Sequence, residues 1–122
     1  MFLRILTLKE IKDEPFVKQN ILWDVLPKDM MSPVCLLKDD GFYLKEHIKG
    51  YVFYIDNADE KPILSLMRHT AAGYAETLAQ IPEIPQEMLQ RAIDENKDKV
   101  FFMMYPINQE IKNWLIKELE ID

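Results

Sequence analysis

Arg68, His69 and Thr70 are consecutive, and they stand where an apolar, β-branched run gives way to an alanine-rich one. An arginine can hold a carboxylate or phosphate with two parallel hydrogen bonds, and a threonine hydroxyl can add a third. If a helix began at Thr70, its unpaired backbone N–H groups would favour the same anion. A histidine there would bind an anion more strongly once protonated, below roughly pH 6.5. These three residues are therefore the candidate contacts for an anionic ligand or an acidic partner. In the structural reading of the same residues, Arg68 only pairs with a carboxylate and Thr70 only caps.

Other chemistry has less to stand on. The serines are Ser32 and Ser65. In a strand, Ser65 and His69 share a face but lie roughly 13 Å apart, too far for a nucleophile and its base. Cys35 is the one cysteine, so no intrachain disulfide and no multi-cysteine metal cluster can form. It sits between Val34 and Leu36, without a local base, as a small hydrophobe does at a core edge. Only His47 and His69 could join it around a metal, and no local ligand pair exists. Asp56, Asp59 and Glu60 lack the mid-loop glycine and the length of a calcium loop. With three glycines and no G-x-G-x-x-G, a glycine-rich nucleotide cradle is excluded, and no cofactor is expected.

Six Phe, five Tyr and two Trp supply recognition surface. Tyr43, Tyr51 and Tyr54 cluster near the middle of the chain, and their amphipathic rings suit a protein interface as well as a sheet face. Lys38, Lys45 and Lys49 flank them, but Asp39, Asp40 and Glu46 interrupt that basic run. The whole chain carries 15 Lys plus Arg against 21 Asp plus Glu, a net charge of -6, so a nucleic-acid partner is not expected.

The elements that must position these residues follow from periodicity. The chain has 122 residues, 48% hydrophobic and 30% charged, which fits a single compact α+β domain over residues 1–122. Residues 2–8 read as a covered strand, too short for a signal peptide or membrane span, so a soluble cytoplasmic protein is expected. Asp13 and Pro15 open a helix whose stripe is Val17, Ile21 and Val25 and which Pro27 stops. Residues 27–33 read as a loop. Val34 to Leu37 is a short strand, Lys38 to Gly41 a turn, and 42–49 strand or helix.

Tyr51 to Asp56 and Ile63 to Met67 form the clearest hairpin, with its turn inside 57–62. Setting Asp56 opposite Ile63 pairs Tyr54 with Ser65 and Phe53 with Leu66. Tyr51, Phe53, Ile55, Leu64, Leu66 and Arg68 then share the core face, and Arg68 needs a carboxylate such as Glu110 or Glu118. Helices are expected over 71–80, capped by Thr70, over 86–97, and from Asn108 to the end. The last of these carries Ile111, Trp114, Leu115 and Leu119 on its apolar stripe. Val100 to Tyr105 reads as a covered strand.

The result is an α+β fold: a mixed or antiparallel β-sheet with a central hairpin, packed by about four helices. The functional expectation is a small protein-interaction or regulatory protein of the inhibitor or immunity type, more a binder than an enzyme. The alternative is a small enzyme or anionic-ligand domain with its pocket at Arg68, His69 and Thr70. A homodimer is the favoured assembly, because the apolar strands and aromatics exceed what one small core covers.

Overall fold

The structure, a computed structural model, describes residues 5–31, 35–38, 41–44, 50–59, 61–69 and 75–121. Four strands make an antiparallel sheet: β3 (Val52–Asp56), β4 (Ile63–His69), β5 (Ala75–Ile81) and β6 (Met104–Pro106), in the order β5-β4-β3-β6. Two more, β1 (Cys35–Lys38) and β2 (Gly41–Leu44), form a separate hairpin. Among the described residues five α-helices accompany them: α1 (Leu8–Lys12), α2 (Pro15–Gln19), α3 (Pro27–Met31), α4 (Gln86–Glu95) and α5 (Gln109–Glu118). The fold is α+β with an antiparallel sheet, as the ordering of the sequence implies.

The central hairpin has the expected register. Asp56 pairs with Ile63, Tyr54 with Ser65 and Phe53 with Leu66. Tyr51, Phe53, Ile55, Leu64 and Leu66 therefore face one core, completed by Ile11, Ala79 and Ile81, by Leu89 and Ala92 of α4, and by Ile111 and Leu115 of α5. The opposite face is covered too. Val52, Tyr54, Met67 and Met104 form a second cluster under Leu22 and Val25. This double coverage explains why both faces of β3 are apolar.

α5 begins as expected. The Asn108 side chain accepts a hydrogen bond from the Ile111 N–H at 3.0 Å, and Leu119 is fully buried beyond the helix end. Trp114 is only partly buried and packs against the core's edge.

Five expectations are corrected. Residues 75–81 are a strand, not a helix. Ala79 and Ile81 alternate inward while Gln80 points out, and pairing along β4 outweighs the helix propensity of alanine. A bulge between Leu66 and Met67 shifts the register there.

The long helix over 15–26 is also not formed. Glu14, not Asp13, caps α2 by accepting from the Phe16 N–H, and the helix ends at Asn20. Ile21 then bridges Tyr51 in parallel, and the Tyr51 N–H donates to the Asn20 carbonyl at 2.9 Å. Gly50 makes this approach feasible: its φ is +122°, and a Cβ there would collide with the Asn20 oxygen.

Residues 27–31, expected as loop, are α3. Of the expected strand at 2–8, residues 1–4 lie outside the described residues. Leu6 makes a single parallel bridge to Ala79, and Thr7 then opens α1 with a reciprocal Thr7–Glu10 capping box.

The last correction is at Val100 to Tyr105. The strand holds only Met104–Pro106. Residues 101–104 are instead a tight two-residue hairpin, described below.

Candidate functional site

The residues picked out by sequence do not converge on one described site. Arg68 is exposed, and its Nε donates to Glu76 Oε1 at 2.7 Å across β4 and β5. The cross-strand neighbour has taken the role expected of Glu110 or Glu118. Glu110 instead accepts two bonds from Arg91, at 2.9 and 2.6 Å, and that contact holds its carboxyl below the usual range. His69 ends β4 opposite Ala75, and Thr70 lies outside the described residues.

Tyr51 and Tyr54 are buried. The Tyr54 hydroxyl donates to the Leu26 carbonyl at 3.0 Å, and burial, aided by the charge of Asp29, pushes its phenol well above the ordinary range. It is a core hydrogen-bond donor. Tyr43 pairs with Leu36 in the β1–β2 hairpin. Among the described residues no group of three or more His, Cys, Asp or Glu could hold a metal. No described helix is long and apolar enough to cross a membrane.

Two features that sequence reasoning missed flank the β3–β4 turn. The first is a tip at residues 101–104. The Phe101 N–H donates to the Met104 carbonyl and the Met104 N–H to the Phe101 carbonyl, both at 2.9 Å. Between them Phe102 has φ +48° and Met103 φ +64°. Positive φ at both central residues defines a type I′ turn, the geometry that normally selects Asn-Gly. Phe102 is nonetheless 73% exposed and Met103 50%. The Phe101 and Phe102 rings meet edge to face at 4.5 Å. No glycine, asparagine or aspartate marks this turn, so the apolar run was read as a strand.

The second feature is a half-open cleft of about 440 Å³ at the far edge of the sheet. Its apolar lining is Ile5, Leu6, Pro62, Ile63, Ile81 and Pro82, with Lys61 and Glu83 at the exposed rim. Ile63 opens β4 and Ile81 closes β5, so the cleft sits at the opposite end of that strand pair from Arg68 and His69. Five residues of strand separate Ile63 from Arg68, roughly 17 Å.

Tip and cleft share one end of the sheet, because β3 ends, β4 begins, β5 ends and β6 begins there. The β3–β4 turn touches both. The Asn57 N–H donates to the Met103 carbonyl at 2.9 Å, and Lys61 and Pro62 line the cleft. Tip and cleft are therefore about 14 Å apart, three strand spacings. Compared with family models, with curated proteins and with solved structures, the chain matches none.

Proposed function

We propose that this chain is a small cytoplasmic protein-interaction domain that acts by docking and not by catalysis. One observation carries the reading: Phe102 and Met103, two bulky apolar residues, are exposed on a turn whose backbone disfavours both. A left-handed conformation costs a non-glycine residue roughly 1–2 kcal/mol. Beyond the Phe101–Phe102 ring contact these side chains bury little against the rest of the fold, so the folded monomer recovers little of that cost. Strain of this kind collects where a function needs it. A convex apolar tip on a rigid hairpin is what an inhibitor or immunity-type binder inserts into a partner's pocket. Phe and Met suit that role, since buried aromatic anchors dominate interface energetics.

The reading of Arg68, His69 and Thr70 as an anion site receives no such support, because Glu76 already neutralises the guanidinium. The test is to replace Phe102 by a photo-crosslinking phenylalanine analogue in cells, with Gln109, exposed at the start of α5, as the control position. Discrete protein adducts at position 102, and none at 109, are expected. Absence of any protein adduct at 102 would overturn the reading.

A further inference from the structure

We infer that the partner is a second copy of this chain, and that each copy's Phe102–Met103 tip enters the other's cleft at Ile63 and Ile81. The inference rests on the docking role of the tip. Its basis is the distribution of exposed apolar side chains. Among the described residues the exposed large hydrophobics are Ile5, Phe16, Val100, Phe102 and Met103. Phe102 and Met103 form the tip, Val100 stands at its base, and Ile5 lines the cleft. Only Phe16 lies elsewhere. One association event therefore covers four of the five.

The placement permits closure. Tip and cleft lie on opposite edges of the same sheet end, joined by the β3–β4 turn. A two-fold axis along the sheet normal, passing through that turn, exchanges the two edges. Each tip then faces the other copy's cleft, and both contacts form together. Such a contact is isologous: it closes at two copies and leaves no open end to propagate a fibre. The cleft, at about 440 Å³, has room for a phenylalanine and a methionine side chain.

Charge agrees with this pairing. The cleft rim carries Lys61 and Glu83, and the tip is preceded by Asp98 and Lys99. None of these four side chains forms an ion pair within the described part of the chain. Asp98 lies beside Val100 and Phe101 at the base of the tip, and across the two-fold it meets the second copy's Lys61, while Lys99 lies further back beside Pro106 and Ile107. Rim charges of this sort fix register and partner choice more than affinity. Two tips in two clefts make an interface below the standard size, so the dimer is a weak and reversible one.

Sedimentation velocity of the full chain, from low to high micromolar concentration, tests the inference. The wild type should move from the 14.5 kDa monomer towards twice that mass. Phe102→Asn with Met103→Gly keeps the turn geometry, so it folds, and should weaken association by at least about 30-fold, the effect of losing an anchor residue. Lys61→Asp and Asp98→Lys should each weaken it, and together restore it.

A wild type that stays monomeric throughout overturns the second-copy inference. If position 102 still crosslinks to a different protein, the docking role survives that failure. If it crosslinks to nothing, both fall. A dimer that persists without the tip, or a double charge variant that fails to recover, also overturns the tip-in-cleft arrangement.

Discussion

The turn at 57–62 is polar and the turn at 101–104 is not, although both close the same end of one sheet. In the first, Asp56 Oδ1 accepts from the Ala58 N–H at 2.9 Å, and Ala58, Asp59 and Lys61 face solvent. Its residue types agree with the exposure of Ala58, Asp59 and Lys61. In the second, Phe102 and Met103 occupy positions that suit Asn and Gly, and they stand exposed. Local preference there conflicts with local structure. Folded chains concentrate such conflicts at functional sites, because elsewhere nothing offsets the strain. The polar turn is what stability alone produces, and the apolar one is what the proposed recognition role requires.

The largest expected effect separates the two phenylalanines that define these regions. Phe53, in β3, is 2% exposed and stacks on Trp23 with ring centroids 6.0 Å apart. Phe53→Ala should cost about 3–5 kcal/mol in urea denaturation. The same truncation at Phe102 should change stability by less than about 0.5 kcal/mol, as at an ordinary surface position. Equal losses at both would erase the distinction between core and tip.

A smaller effect is expected beneath the hairpin. Tyr54→Phe removes the bond to the Leu26 carbonyl and should cost about 1–2 kcal/mol. Burial raises the phenol's pKa, so the folded state favours its neutral form. That contribution is complete below the ordinary tyrosine range near 10 and is lost as pH rises above it, because the unfolded chain ionises first. The alkaline fall in melting temperature should be shallower in Tyr54→Phe than in the wild type. A steeper or unchanged fall would remove Tyr54 from the buried second face.

The smallest effect lies on the surface between α4 and α5. The hydrogen bond from Arg91 lowers the pKa of Glu110. A depressed carboxylate contributes stability above its unfolded value and loses it as pH falls through the folded one. The melting-temperature gap between wild type and Glu110→Gln should therefore close on acidification. A gap that is constant with pH would mean that this exposed pair contributes nothing through its charge.

Much of the sheet was legible because its signals are chemical as well as periodic. The alternation from Tyr51 to Asp56, the Asn-to-Pro62 turn and the run from Ile63 fix a register, since a slip of one residue would reverse every side chain. Asn108 before Ile111, Leu115 and Leu119 marks α5 in the same way. β5 was not legible. Ala75, Ala79 and Thr70 fit a helix start and helix interior equally well, and only pairing with β4 decides. α1 carried a readable signal in Thr7 and Glu10, masked by the apolar run before it.

Of the candidate contacts, Tyr51 is buried on the core face to which the hairpin register assigns it, and Tyr54 is buried because the second face of the sheet is also covered. The tip carried no turn residue at all. Its nature depends on a backbone conformation that Phe102 and Met103 do not announce.

The denaturation midpoint of Phe102→Asn with Met103→Gly tests the central claim most directly. Asn-Gly relieves both left-handed residues while leaving the Phe101–Met104 bonds in place, so the variant should gain about 1–2 kcal/mol and several degrees in melting temperature. A loss of about 1 kcal/mol or more would show that the apolar tip stabilises the fold itself, and the account of it as a recognition element would be wrong.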